Sequence, residues 1–477
     1  MINFRSYFLL CGKFLALVLI ASGCARMPSD DQAEVKDSLS VAKVVERVDF
    51  PEGEWPDAAW WKQFENSTLT QLIESALSLS PTLQKAEARL KAALQVALQK
   101  RAALYPELDF NGSSDWQHLA KEGFYRAFAP TIPPVVNDIM LGFSFSYEFD
   151  FWGKNRDLFQ AALGRADALE AERRQAELIL TTSITYTYAE LQFLLRKKQI
   201  LEEIERNTSQ IEQITKERLQ HGIDAALQQL QSQVSTLDLQ TSIVAIDRQI
   251  EQDRHRLKAL SGLGQDGDVT LSYSPLKSIA TALPENLELD LIARRPDLAA
   301  LKARIEASAK EVHAAKTDFY PNINLVGLLG LESVFASQLF RISSYSGSVT
   351  PAINLPIFTA GRLRAQLWEK AAQFDEAVYA YNELILQVAQ EVADRLTALS
   401  LLQKQIALRE KSWETSLQKV EVGQHRLEHA LDDLRSLLDL QNGALESEMT
   451  LVELEYGRQM EAILLIRALG GGYHDRS

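Results

Sequence analysis

The 477-residue sequence has few cysteines, and both of them, Cys11 and Cys24, lie close to its N-terminus. Arg5 and Lys13 accompany a short apolar run, Phe14–Ile20, which is shorter than the about 20 residues that a membrane-spanning helix needs. This pattern predicts an export signal over residues 1–23. Cys11 would be removed with the signal, so the mature chain could form no internal disulfide bond.

The small residues directly before Cys24, Ala21-Ser22-Gly23, resemble a bacterial lipobox. Cleavage there would leave Cys24 as an acylated N-terminus, followed by a lipidated N-terminal segment over residues 24–60. In lipoproteins, a residue other than aspartate after the cysteine favours outer-membrane sorting, and this chain has Ala25. An ordinary signal peptide with an incidental cysteine is the alternative.

The sequence also lacks an excess of basic residues. Lys and Arg number 50 against 64 Asp and Glu, which gives a formal net charge of −14. Because phosphate binding needs a concentrated basic face, nucleic acid is not expected as a partner. The acidic balance suits a pore that favours cations, although solubility explains it equally well. With only five methionines, mostly scattered, a copper or silver relay has no support.

After the signal, no segment is long and apolar enough for a transmembrane helix, so any membrane span must be built from strands. The sequence instead contains an internal duplication. Ser80–Phe110 aligns without gaps to Arg295–Leu325, and shorter matches follow in the same order, such as Arg218–Asp224 with Arg426–Asp432. In the first alignment, Pro81, Leu83, Ala88, Arg89, Ala92, Tyr105 and Pro106 recur as Pro296, Leu298, Ala303, Arg304, Ala307, Tyr320 and Pro321. The duplication predicts one structural repeat over 61–262 and another over 295–477, joined by a linker over 263–294.

Both repeats have the same predicted order of elements. A helix (about 82–103 and 297–317) ends at Tyr-Pro, because proline interrupts the helical hydrogen bonds. Residues that alternate between apolar and polar then predict two strands in each repeat. The predicted strands cover about 105–117, 140–151, 320–333 and 347–358. Long helices follow, over about 157–220 and 225–261 in the first repeat and about 366–428 and 432–468 in the second.

The spacing of Leu367, Ala371, Phe374 and Val378 indicates a coiled-coil seam in a helix about 90 Å long, which exceeds the thickness of a bilayer. Four strands would leave two open sheet edges, and unpaired backbone groups in hydrocarbon cost several kcal/mol each. Three copies would close twelve strands. The predicted fold is therefore an α+β membrane protein. Its duplicated long-helix hairpins would form an α-barrel, and its four strands would contribute to a trimeric, 12-stranded transmembrane β-barrel.

Three motifs resemble the TolC-like outer-membrane factors, in particular the lipoprotein branch of multidrug efflux channels. They are Tyr147–Lys154 (YEFDFWGK), Leu355–Arg364 (LPIFTAGRLR) and Arg294–Leu298 (RRPDL). The resemblance implies a homotrimer in the outer-membrane lipid that extends into the periplasm. It also implies passive export of substrates delivered by an inner-membrane transporter and a periplasmic adaptor, with no catalysis and no cofactor.

In this family the periplasmic end is closed by acidic rings and polar contacts at the second helical tip, which here is Arg426–Gln441. The resemblance places Asp439 at the innermost acidic gate position, where three copies would bring three carboxylates together. Asp432 and Asp433 are further acidic candidates. Arg426 would pair with nearby acids or with the adaptor, or would simply lie at the surface. Ser436 stands where some members have a second aspartate, and Ala430 replaces a typical glycine.

Two short sequences resemble a nucleotide-binding and a zinc-peptidase motif, but neither is expected to form such a site. Gly262–Gly267 fits G-x-G-x-x-G, but it follows a helix rather than a strand, and a helix C-terminal turn explains it better. His425–His429 fits H-x-x-E-H, a zinc-peptidase pattern, yet the duplicated copy has Glu217 and His221 there. No metal site is therefore predicted.

Two alternatives to the efflux duct are consistent with the residues alone. The same fold could serve as the outer-membrane duct of a type I protein secretion system. A non-channel alternative is a periplasmic coiled-coil scaffold, although the aromatic alternation over 143–151 argues against it.

Overall fold

The computed structural model describes residues 33–36, 50–265, 271–279, 283–284 and 291–474. The predicted signal and Cys24 lie outside these residues. The chain divides into two compact units. Of the described residues, one unit comprises 33–35, 90–168 and 301–380, and the other comprises those within 36–89, 169–300 and 381–474. Each unit therefore takes residues from both halves of the duplicated sequence.

The helices have matching lengths in the two halves. They are α1 (Ser67–Leu79), α2 (Pro81–Ala102), α3 (Lys154–Gln220), α4 (Ala226–Leu260), α5 (Pro296–Thr317), α6 (Arg362–Glu428) and α7 (Leu434–Ala468). Helices α2 and α5 each have 22 residues, α3 and α6 each have 67, and α4 and α7 each have 35. At 1.5 Å per residue, α3 and α6 are each about 100 Å long.

Among the described residues, no helix is long and apolar enough to cross a membrane.

Local sequence sets the ends of these helices. The Asn66 side chain accepts the backbone N–H of Leu69 at 2.9 Å and so caps α1. Pro81 and Pro296 occupy the first positions of α2 and α5, where a missing N–H costs nothing. Short elements complete the described chain: a helix at Phe124–Phe128, 3-10 turns at Trp60–Phe64, Ile292–Arg294, Ala336–Gln338 and Ile342–Ser344, and a parallel pair of two-residue strands, Glu52–Gly53 and Leu283–Pro284.

Four antiparallel strands form one sheet in the first unit, in the order β1 (Glu107–His118), β2 (Val135–Phe149), β3 (Asn322–Ser333) and β4 (Tyr345–Asn354). Strand β2 starts five residues before its predicted position, because Val135–Asp138 pairs with the end of β1. Strand β4 ends four residues before its predicted end at 358, because Pro356 cannot donate a ladder hydrogen bond.

The register separates an apolar from a polar face. Phe110 is paired with Phe143, and Phe143 is paired with Leu329, so these side chains project from the same side. The opposite side has six carboxylates and no basic residue, since none of the four strands contains Lys or Arg. These acids are Glu107, Asp109, Asp115, Asp138, Glu148 and Glu332.

The two outer strands leave the sheet open. Within the described residues, β1 pairs only with β2 and β4 pairs only with β3, so each has one edge of unpaired N–H and C=O groups. Such edges need another strand or a polar solvent.

The core of the second unit packs a short N-terminal segment against three long helices. Trp60 and Phe64 lie in this core with Leu69 and Ile73 of α1. Ile184 and Tyr188 of α3, Leu257 of α4 and Ile463 of α7 complete it, and each is nearly inaccessible to solvent.

The seam predicted for α6 is buried at Leu367 and Val378, which are at most 2% exposed, while Ala371 and Phe374 are half-buried. The same spacing continues along α6 through residues that are at most 3% exposed, namely Tyr381, Ile385, Val388 and Val392.

The RRPDL motif builds a buried ion network in the second unit. Arg295 donates to both carboxylate oxygens of Asp297 (3.0 and 2.7 Å), to Glu391 (3.2 Å) and to the backbone carbonyl of Ala468 (2.7 Å). Glu391 also accepts from Arg467 at 3.0 Å. The Arg295 guanidinium therefore connects the start of α5 to α6 and to the end of α7.

One buried carboxyl in the second unit has no counter-ion of this kind. Asp253 of α4 is 9% exposed, and its Oδ2 has no hydrogen-bond partner among the described residues. Burial, together with the nearby Glu190, raises the pKa of Asp253 to about 6, while Arg256 opposes the shift. On α7, burial and Glu190 also raise the pKa of Tyr456.

We expect Asp253→Asn to stabilise the protein at pH 8 by about 2–3 kcal/mol and to have little effect near pH 4. The folded-state pKa lies above the unfolded one, so the wild-type protein is most stable with Asp253 protonated. It loses that stability as the pH rises through 6. Thermal unfolding midpoints of both proteins between pH 4 and pH 8 measure this difference. Asp238→Asn, at an exposed site on the same helix, serves as the control, and a gain that does not depend on pH would contradict the assignment.

Candidate functional site

The candidate site is the pair of helical turns in the second unit, between α3 and α4 and between α6 and α7. Both turns end a helix with a residue in the left-handed region, Gly222 at φ 73° and Ala430 at φ 53°. In each, the next amide donates back to an arginine carbonyl at 2.8 Å, Ile223 to Arg218 and Leu431 to Arg426. This is the Schellman arrangement, in which glycine is usual because it has no Cβ to clash.

An arginine–aspartate pair closes each turn. Arg218 Nε donates to Asp224 at 3.0 Å, and Arg426 Nε donates to Asp432 at 3.1 Å. The hydrogen bond from Arg426 lowers the pKa of Asp432 below its ordinary value, and Ser436 adds to this shift. Of the roles expected for Arg426, the structure shows pairing with a neighbouring acid. The same spacing in RLQHGID and RLEHALD was the sequence signal for both pairs.

Asp433 connects the two turns and caps a helix. Its carboxylate accepts the backbone N–H of Ser436 at 3.0 Å and the Ser436 hydroxyl at 2.8 Å, at the N-terminus of α7. These hydrogen bonds lower the pKa of Asp433. Arg218 of the first turn lies 3.6 Å from the other carboxylate oxygen. The position expected to contribute to an acidic gate is thus occupied by a structural cap.

Asp439 lies six residues after Asp433 on α7 and differs from these acids in its surroundings. It is exposed, next to the buried Leu437 and Leu438, and has no ion pair within the described part of the chain. Ser436, three residues earlier, already donates its hydroxyl to Asp433. Among the predicted gate acids, Asp439 therefore retains its full capacity to bind a cation or a neighbouring polar group.

Sequence reasoning missed the polar contacts that join α3 to α7 behind the turns. Asn207 donates to Asn442 at 3.0 Å, and Asn442 donates to Thr208 at 3.3 Å. Further along the same helices, Lys197 pairs with Glu453 at 2.8 Å, and Arg196 pairs with Glu448. Asparagines inside a helical stripe were the available signal, but a partner in the other half of the sequence cannot be inferred from local spacing.

The two strings that resemble catalytic motifs have ordinary surroundings. His429 Nδ1 lies 2.9 Å from the carbonyl of His425 on its own helix, and His425 lies 3.4 Å from Glu428. Within the described residues, no group of His, Cys, Asp or Glu is arranged to hold a metal ion. Gly262 and Gly264, both at positive φ, follow the C-terminus of α4, as expected for a helix-ending turn.

Comparison with known proteins identifies the family. The model of the family described as outer membrane efflux protein matches residues 72–263 and 289–471, which is most of the chain. The chain belongs to this family. It is 27% identical to the multidrug resistance outer membrane protein MdtP of Escherichia coli K12 over 479 residues, covering 99% of this chain and 98% of MdtP. It is 29% identical to MdtQ of E. coli O6:H1 over 469 residues, covering 96% and 97%.

A solved outer-membrane protein shows the same architecture. The structure of VceC from Vibrio cholerae superposes with a TM-score of 0.78 and 30% identity, covering 88% of this chain and all of VceC. The predicted fold of duplicated long-helix hairpins and four strands is therefore confirmed, as is the predicted function of an outer-membrane efflux channel. The periplasmic scaffold alternative is wrong.

We expect Ala430→Gly to stabilise the second turn by about 1 kcal/mol, because the left-handed conformation strains a residue with a Cβ. Gly222→Ala should destabilise the first turn by a similar amount. A Cβ at Gly222 would meet no atom within 4 Å, so only backbone strain acts there. Hydrogen exchange of the amides of Ile223 and Leu431 measures both changes. Faster exchange of Leu431 in Ala430→Gly would refute this explanation.

Proposed function

We propose that this chain is the outer-membrane component of a tripartite efflux system, a passive exit duct for small molecules. Three copies close the duct, a periplasmic adaptor contacts it, and an inner-membrane transporter delivers the substrate. The observation that supports this most directly is the open four-stranded sheet. Its apolar face suits lipid and its polar face suits water, but it cannot seal itself with four strands.

The helices support self-association independently. On α4, an exposed apolar stripe repeats at steps of three, four and seven residues, a spacing typical of helix–helix contacts. Each member is more than half exposed, and the stripe comprises Leu227, Leu230, Val234, Leu237 and Val244. A second exposed series on α6 includes Leu401, Leu408 and Val422. Such stripes are covered in a stable protein, and a second copy of the chain supplies a matching surface.

Relatives named for multidrug resistance favour small molecules over secreted proteins as the cargo. In this proposal, acylated Cys24 anchors the mature chain in the outer membrane. The second turn forms the periplasmic gate, with Asp439 of three copies as its acidic ring. Arg426, Asp432 and Asp433 hold the turn in shape around that ring.

We expect Leu230→Glu combined with Leu237→Glu to abolish the trimer and its conductance, because two charges in an apolar contact are costly to desolvate. Native electrophoresis of the detergent-solubilised protein reports the trimer, and planar bilayers report single-channel conductance. Gln233→Glu, exposed on the same helix, is the matched control.

Cells that carry only the double variant should become sensitive to several toxic compounds, as deletion cells do. A trimer that survives the double substitution would disprove this interface. Deletion cells with unchanged sensitivity to all compounds tested would favour the protein-secretion duct.

We expect Asp439→Cys to form disulfide-linked dimers under mild oxidation, because a closed gate brings the three residues at this position together. Outside the signal the only native cysteine is Cys24, and its thiol is acylated in this proposal, so the crosslink can arise only at position 439. Non-reducing electrophoresis of isolated membranes measures it. Glu203→Cys, at an exposed site on α3, which carries none of the proposed interface residues, should not crosslink. If both variants crosslink to the same extent, Asp439 does not mark a constriction.

A further inference from the structure

A cavity of about 390 Å³ lies in the first unit, where the strands meet the helices. Its wall is formed by the end of β2 and the start of α3, by the segment from α5 into β3, and by the segment from β4 into α6. The lining residues used below are Glu148, Trp152, Lys154, Asp318, Asn322 and Arg362.

Two aromatic side chains mark the cavity as a membrane-interface feature. Trp152 and Tyr320 stack with ring centroids 4.9 Å apart and an interplanar angle of 26°. The Trp152 indole N–H donates to the Pro321 carbonyl at 2.8 Å, which fixes the ring. Both residues lie just beyond the ends of the strands, and Trp and Tyr concentrate at the level of lipid headgroups.

Most of the charged side chains around the cavity already have an ion-pair or hydrogen-bond partner within the chain. Lys154 pairs with Asp318 at 2.8 Å. Asp150 accepts the backbone N–H groups of Asn155 and Arg156 at 3.1 and 3.0 Å, at the N-terminus of α3. The carboxylates of Asp318 and Asp150 are therefore neutralised by the protein itself.

Two polar groups in the cavity wall lack partners. Arg362, the first residue of α6, is exposed and has no ion pair among the residues that the structure describes. Asn322 donates through Nδ2 to Glu148 at 3.0 Å, but its buried Oδ1 has no donor within the described chain. A buried amide oxygen without a donor is costly, so this atom indicates a missing hydrogen-bond donor.

The unpaired Arg362 side chain and Asn322 Oδ1 indicate which chemical groups a ligand of this cavity would carry. A phosphate would complement Arg362, and an ammonium group would complement Asn322 Oδ1 and the Glu148 carboxylate. A free phosphate carries no cationic donor for Asn322 Oδ1 and Glu148, and the carboxylates would repel it. Beyond the cavity, Phe151, Ile357 and Phe358 are 63%, 80% and 88% exposed, which suits attached acyl chains.

We propose that this cavity binds the headgroup of a zwitterionic phospholipid of the phosphoethanolamine type. Arg362 binds the phosphate, Asn322 and Glu148 bind the ammonium group, and the Trp152–Tyr320 pair flanks the headgroup. The site holds the strand–helix junction at the membrane surface. The inference depends on the sheet spanning the outer membrane and does not depend on the gate or on the transported compound.

Native mass spectrometry of the full-length protein, released from nanodiscs of defined composition, tests the site. We expect phosphatidylethanolamine to be retained more strongly than phosphatidylglycerol. Arg362→Gln should weaken that retention about tenfold, since it removes a charge-assisted hydrogen bond. Arg364→Gln, two residues further on and outside the cavity, is the matched control and should retain the lipid.

Arg362→Lys keeps the positive charge and should restore part of the binding, which a purely structural role of Arg362 would not predict. Thermal unfolding and native electrophoresis show whether each variant is folded and assembled. If Arg362→Gln fails to fold, the same comparison is made with Asn322→Leu, for which we expect selective loss of phosphatidylethanolamine.

Equal retention of the two lipids would overturn the proposal, and so would equal losses in Arg362→Gln and Arg364→Gln. Binding of inorganic phosphate or water-soluble phosphoethanolamine as tightly as of the lipid would overturn the assignment to a membrane lipid. Conductance is recorded separately. Lipid retention without conductance would refute the channel while leaving this site intact.

Discussion

The backbone groups along the outer edges of β1 and β4 impose the constraint on which the structure depends. In water these groups would be hydrated, but in hydrocarbon each unpaired group costs several kcal/mol. The sheet has a continuous apolar face, with Phe110, Phe143 and Leu329 side by side, so lipid is its natural environment. In the proposed duct, one protomer therefore has an incomplete membrane domain, which identical strands from other copies complete.

The duplication explains why the two halves match so closely in their helices and differ in their strands and turns. Long helices with a repeated seam must keep both length and register, and the pairs of 67 and 35 residues are identical. The strands tolerate change, since β2 has 15 residues and β4 has 10. The turns keep the arginine–aspartate pair, but Ala430 accepts backbone strain that Gly222 avoids. Strain retained in only one turn is consistent with a specialised second turn.

Features encoded by local chemistry could be predicted from the sequence. Proline marks the starts of α2 and α5, and the seam through Val378 and Ile385 shows that α6 is a packed helix. Strand ends were less predictable. The alternating pattern continues past Asn354 into Leu355–Phe358, but Pro356 and the left-handed Ala360 and Gly361 end the pairing.

The candidate site was predictable only in part. Acidic residues at the second turn were expected, yet the capping role of Asp433 depends on the orientation of its side chain relative to the first turn of α7. The pairing of Arg218 with Asp433 joins residues more than 200 positions apart, and so does the hydrogen bond from Asn207 to Asn442. Periodicity contains no information about such pairs. They become visible only when the helices are packed.

Paired and unpaired charges have different roles in this protein. Arg295 is buried with Asp297, Glu391 and the Ala468 carbonyl, and removing any one partner would leave a buried charge uncompensated. Such networks fix the positions of the helices and leave no capacity for a ligand. Asp253, Asp439 and Arg362 lack counter-ions of this kind among the described residues. Burial raises the pKa of the first, the second is the proposed gate residue, and the third is the proposed phosphate ligand. The helices of this chain are held together largely by apolar seams and by ion pairs. A charge that the fold leaves unpaired is thus a better guide to function than a charge that is already paired.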